Sequence, residues 1–88
     1  MQWLATARDD LAGIIDYVCE RDSDVAMRLL DAIDEAVTAL PEHPMLYRRG
    51  RMAGTRERVV HPHYFVVYRL STLAIEIIAV LHTSKQFP

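Results

Sequence analysis

Apolar residues recur at helical spacing through the first half of the chain and at alternate positions through the second. Leu11, Ile14, Ile15 and Val18 mark the buried stripe of a first helix. Thr6, with Asp9 three residues on, approximates a capping box, so Thr6 is expected as its N-cap, with Asp9 and Asp10 in a first turn where the helix dipole favours acids. Gln2-Trp3-Leu4 reads as the tail of a short strand, Leu4 packing on that turn. Helix one is expected to end near Arg21. Ser23 or Asp24 then caps a second helix whose stripe is Ala26, Leu29, Leu30, Ile33, Val37 and Leu40, and Pro41 stops it. The short link predicts an antiparallel helix hairpin.

Residues 41–54 hold two prolines and two glycines and read as a loop. Three strands rich in Val, Ile, Tyr and Phe follow, at about Thr55–His61, Tyr64–Leu70 and Ala74–His82. Turn-length links make them an antiparallel meander. Val66 and Tyr68 face one way, and Phe65, Val67 and Arg69 the other. Ile75, Ile77, Ala79 and Leu81 oppose Glu76, Ile78, Val80 and His82. Both faces carry apolar residues. One packs on the helices, and part of the other needs cover from the N-terminal strand, the C-terminal tail or a partner. The fold class is α+β: short N-terminal strand, antiparallel helix hairpin, then a three-stranded antiparallel meander packed on the helices.

The 88 residues make a single domain, 1–88, with a marginal expected stability of ~5 kcal/mol. Nothing resembles a signal peptide or a membrane span, and one cysteine, Cys19, forms no internal disulfide, so a cytoplasmic protein is expected. Cys19 itself is expected to pack on its helix. The net charge of -2 hides a split. Residues 1–46 carry three arginines against ten acids, a net of -7; residues 47–88 carry seven bases against two acids, a net of +5. Five of the bases, Arg48, Arg49, Arg51, Arg56 and Arg58, fall within eleven positions. Guanidinium groups fork onto phosphate and carboxylate oxygens, so this cluster suits an anionic partner: nucleic acid, a nucleic-acid machine or an acidic peptide. Pairing with the acidic helices and with Glu57 is the plainer alternative.

His63 and His82 are the candidates for general acid–base chemistry, and a histidine beside arginines suits RNA cleavage. Exposed turn and strand-end histidines are the alternative. His61-Pro62-His63 lacks a fixed third ligand, so neither a metal nor another cofactor is expected. Tyr47, Tyr64 and Tyr68 are bases' stacking partners or half-buried strand residues. No phosphate loop or serine-nucleophile motif is present.

In order along the chain stand Trp3-Leu4-x-x-Ala7-x-x-Asp10-Leu11-x-x-Ile14-x-x-Tyr17, Ala26-x-x-Leu29, Ile33-x-x-Ala36-Val37 and Leu40-x-x-x-Pro44. Gly50-Arg51-x-x-Gly54-Thr55-Arg56-Glu57, Tyr64-x-Val66-Val67-Tyr68-Arg69 and Ile75-Glu76-Ile77-x-x-Val80-Leu81-His82 complete the set. Together they resemble the RelE/ParE superfamily of bacterial type II toxin–antitoxin toxins, over almost the whole chain. The resemblance implies a compact α+β toxin that inhibits growth when free of a cognate antitoxin, with a higher-order toxin–antitoxin hetero-oligomer as one form of the complex and no membrane partner. ParE-like members poison DNA gyrase; RelE-like members cut mRNA in the ribosome. Phe65 stands where many ribonucleases place an arginine, and Thr83-Ser84-Lys85-Gln86-Phe87-Pro88 offers no tyrosine to match the one that some use. Those departures, and the Gly-Arg…Gly-Thr-Arg-Glu wording, favour the ParE-like branch. Arg56 and Arg58 instead match the alternating basic pair of RelE-like strands, and His63 and His82 fall near the acid–base positions of one ribonuclease branch. The implied sites are therefore Arg48, Arg49, Arg51, Arg56 and Arg58 for target or nucleic-acid binding, and His82 and His63 for catalysis only in a ribonuclease. An inactive relative that binds antitoxin and represses a promoter, or an RNA-binding module without turnover, would show the same residues. Related chains carry a few more residues before the Trp-Leu pair, so a short first strand or a late start is expected.

Overall fold

The computed structural model describes residues 1–84. Its elements are β1 (Gln2–Trp3), α1 (Ala5–Cys19), α2 (Ser23–Thr38), a 3-10 turn (Leu40–Glu42), β2 (Arg48–Arg49), β3 (Thr55–His61), β4 (Tyr64–Leu70) and β5 (Ile75–His82). One five-stranded sheet runs β1-β5-β4-β3-β2. β1 lies parallel to β5, and every other pairing is antiparallel. The meander is the expected one, lengthened at both edges. Residues 41–54 are not all loop, because Arg48 and Arg49 pair with Glu57 and Arg56. β1 extends the sheet edgewise and so does not cover its second face.

α1 packs over β5 and α2 over β3. Leu29, Ile33, Val37 and Leu40 meet Val66, Tyr68, Ile75, Ile77 and Val80 in the core, with Trp3 packed at its margin. The alternation read from β5 holds only to Ile77. A bulge opposite Val67 and Tyr68 takes up one residue, so Val80 turns to the core in place of Ala79. Phe65 and Val67 are buried on the second face. Residues 85–88, the tail expected to help cover it, lie outside the described residues.

The helix ends differ from the local sequence signals because tertiary partners claim the capping side chains. Leu4 is the N-cap of α1 and provides no side-chain bond. The Thr6 hydroxyl instead donates to the Ile78 carbonyl at 2.8 Å, and an Asp10 carboxylate oxygen accepts the Val80 N–H at 3.1 Å. β1 is too short to pair with all of β5, and α1 finishes the edge with these two side chains, blunting a strand that would otherwise present open hydrogen-bonding groups. α1 stops at Cys19, which is exposed. Asp22, not Ser23 or Asp24, caps α2, accepting the N–H groups of Asp24 and Val25. α2 ends at Thr38, and Pro41 sits inside the 3-10 turn beyond it.

Removing the Asp10 carboxylate orphans a strand N–H on a buried residue, at a cost of about 1–3 kcal/mol. Asp10→Ala should therefore lower the melting temperature by roughly 4–8 °C per kcal/mol, whereas Asp9→Ala, on an exposed residue, should leave it nearly unchanged. Thermal denaturation of the two variants checks this.

Candidate functional site

The period of two in β3 divides the basic cluster between the faces of the sheet. Arg56 and Arg58 share the helix face, opposite Tyr68 and Val66. Arg58 Nη1 donates to the Ala36 carbonyl at 2.6 Å, and its guanidinium lies 4.6 Å from the centre of the Tyr47 ring. Ala36 is in the last turn of α2, which has no basic residue of its own, so Arg58 supplies both a donor and the positive charge that a helix C-terminus favours. Arg56 Nη1 donates to the carbonyls of Tyr47 at 2.8 Å and Met45 at 3.2 Å. Tyr68 Oη donates to the Pro44 carbonyl at 2.6 Å. These bonds fasten the segment after α2 onto the sheet.

Glu57 points to the other face. Its side chain is only 3% exposed; one oxygen meets Arg48 Nε at 3.0 Å and the other accepts the Arg51 N–H at 3.2 Å. The one acid in the basic run thus neutralises Arg48 and holds the turn that follows β2. Gly50 N–H donates to the Thr55 carbonyl, and the Thr55 hydroxyl to the Met52 carbonyl. A Cβ on Gly50 would fall 2.1 Å from the Thr55 hydroxyl oxygen, and Gly54 sits at φ 78°, so both glycines are required where they stand. Arg49 lies on the exposed end of β2 and makes no side-chain hydrogen bond or ion pair among the described residues. The surface carrying charge outward is therefore narrower than the five arginines suggest.

The histidines gather at the far end of the same strands. His63 and His82 stack with centroids 5.6 Å apart, Tyr64 meets His82 edge-on at 5.2 Å, and His61 lies 5.6 Å from His63. The Ser84 backbone N–H reaches His82 Nδ1 at 3.0 Å and the Ser84 hydroxyl oxygen lies 2.6 Å from it. Ser84 stands two residues past His82 and beyond the strand end, a separation that no periodicity in the sequence marks as a contact. His82, Tyr64 and Tyr17 line a cleft of about 550 Å³ whose charged walls are Asp9 and Asp10. Arg28 lines the neighbouring depression with His61 and His63. No group of three or more His, Cys, Asp or Glu side chains among the described residues is arranged to hold a metal ion.

Arg56 and His61 are five positions apart along β3, roughly 16 Å of strand. His82 comes near the His61-Pro62-His63 turn but not near the arginine loop.

Comparison with known proteins gives one consistent result. Residues 1–87 match the model of the ParE toxin of type II toxin–antitoxin systems, parDE. The chain is 37% identical over 89 residues to a Sinorhizobium fredii protein described as "Putative toxin Y4kP", covering 100% of this chain and 92% of that one. It superimposes on a chain of the chromosomal ParDE toxin–antitoxin system from P. aeruginosa with a TM-score of 0.81 at 20% identity, over 92% of this chain and 91% of that one. The YoeB/ParE toxin from Agrobacterium tumefaciens gives 0.64 at 20% identity, over 92% and 94%.

Burial pushes the phenol of Tyr68 above its ordinary value; Arg56 and Arg58 pull it down, while Tyr47 adds to the rise. The folded phenol holds its proton more tightly than the unfolded one. Its contribution to stability is complete below about pH 10 and is lost as the pH rises from there through the raised value. Ultraviolet titration should show a late-ionising component that Tyr68→Phe removes, and the variant's stability should fall less steeply above pH 10. The match over nearly the whole sequence, together with this fold, makes the chain a member of the ParE toxin family of type II toxin–antitoxin systems.

Proposed function

We propose that this toxin stops growth by binding a protein target, DNA gyrase, and not by cutting RNA. The observation that carries this is the separation of the two chemistries. A ribonuclease needs a proton-transfer group and a cation at the same scissile phosphate. Here the histidines and the arginine loop stand at opposite ends of β3, and Asp9 and Asp10 border the histidine cleft. Phe65 supports the same reading: it is buried and apolar where a phosphate-holding arginine would contribute about 3 kcal/mol to a charged transition state. A poison that acts by occupying an interface needs shape and charge but no proton transfer. The antitoxin partner keeps the toxin silent in the cytoplasm, its acids meeting the arginine loop and its apolar residues covering exposed surface.

The stacked His63–His82 pair, with Arg28 nearby, favours a second reading, a ribosome-dependent mRNA endoribonuclease. A His63→Ala, His82→Ala double variant discriminates. It should keep most of its growth inhibition, and purified toxin should block gyrase supercoiling while leaving ribosome-bound mRNA intact. A folded double variant that is harmless, with wild-type toxin cutting mRNA in the ribosomal A site, would establish the ribonuclease instead.

A further inference from the structure

We propose that the apolar, arginine-edged surface at the loop end of the sheet is the docking face for an acidic amphipathic segment of the toxin's protein target. This rests on the reading that the target is a protein. Met45, Met52 and Leu70 line one shallow depression together with Arg49, and Leu70 joins it to a second depression containing Leu73. Met45 is 60% exposed and Leu73 95%. Single exposed apolar residues are ordinary; a joined set around two depressions marks an interaction surface.

The backbone beneath this surface is fixed. The carbonyls of Pro44, Met45 and Tyr47 accept side-chain bonds from Tyr68 and Arg56, and the Met52 carbonyl accepts one from Thr55. A loop held by so many inward bonds presents its apolar side chains outward with little ordering left to lose on binding. Methionine adapts its shape to a partner without a fixed complementary pocket.

Charge identifies the occupant. The lining residues of the two depressions include two arginines and no acid. Arg56 is engaged with carbonyls, so Arg49 is the cation placed to meet a carboxylate. Nucleic acid would ask for a row of cations and aromatic rings to stack its bases on, and the two depressions hold no aromatic residue. An amphipathic peptide with acids along one edge satisfies both features.

The test uses the full chain with Met45→Glu, Met52→Glu and Leu73→Glu combined, and Arg49→Glu separately. Growth arrest on induction, inhibition of gyrase supercoiling, and binding to the antitoxin encoded beside the toxin are measured together. Both variants should fold, and any weakening of antitoxin binding, which draws on the same arginine loop, should accompany the loss of potency and not replace it. Inhibitory potency should fall by roughly 100-fold in the triple variant and roughly 10-fold in Arg49→Glu. Leu73→Glu alone, at the most exposed position, keeps the test alive if the triple variant does not fold. Wild-type potency in the folded triple variant overturns the proposal, as does loss of antitoxin binding with growth arrest retained. Wild-type potency in Arg49→Glu overturns the acidic character of the partner. A wild-type dimer that the triple variant dissolves without loss of potency assigns the face to a second copy and also overturns it. Wild-type toxin that arrests growth without touching gyrase sinks the gyrase reading instead, and the growth measurement still tests the face.

Discussion

Three consecutive residues of β3 hold the molecule's parts in register, because a strand sends alternate side chains to opposite faces. Arg56 and Arg58 go to the helix face and donate to carbonyls of the loop and of α2. Glu57 goes to the other face and takes Arg48 and the Arg51 N–H. Each partner is a group that the fold would otherwise leave unsatisfied: a helix-end carbonyl, loop carbonyls, a turn N–H. The helix hairpin, the segment after it and the short edge strand are thus tied to one strand, β3, between the edge and the centre of the sheet. Arginine suits this work because its planar guanidinium fixes the direction of its donors, and in Arg56 a single nitrogen, Nη1, reaches two carbonyls, where an ammonium on a flexible stem would lose more freedom for each bond.

The consequence for function is a division of labour along the sheet. Arg56 and Arg58 are largely consumed in holding the fold. What faces outward at the loop end is Arg49, with apolar loop residues beside it. The far end carries imidazoles and tyrosines against an acidic cleft. The chain's dipolar charge is therefore also a spatial one, with an acidic helix side and a basic loop end.

Much of this architecture was legible in the sequence. β3 and β4 run from Thr55 to His61 and from Tyr64 to Leu70, as their β-branched and aromatic runs and the Pro62-His63 turn require. The α2 stripe and the pairing order followed from periodicity and link length. What escaped was set by distant contacts. Thr6 is a good local cap, but the unpaired edge of β5 claims its hydroxyl. The bulge in β5 shifts Val80 to the core, and no local residue pattern announces it. Arg48-Arg49 lacks β propensity and becomes a strand because Glu57 draws it in. The arginine cluster was visible as composition, but its division between fastening and display was not, since only the location of acceptor carbonyls decides that. Glu57 did leave a trace: a lone acid at odd parity in a basic strand has to face away from its arginine neighbours and toward others.

The Glu57 carboxylate and its neighbours hold the loop rigid, so that it presents a fixed surface. Hydrogen exchange at the Gly50, Arg51 and Thr55 amides tests it most directly. In the native chain all three should exchange far more slowly than an unstructured loop, and Glu57→Ala should release Arg51 and Gly50 while the β4 and β5 amides stay protected. Exchange of these three amides at unstructured rates in the native chain would show instead that the loop is not held and presents no fixed surface.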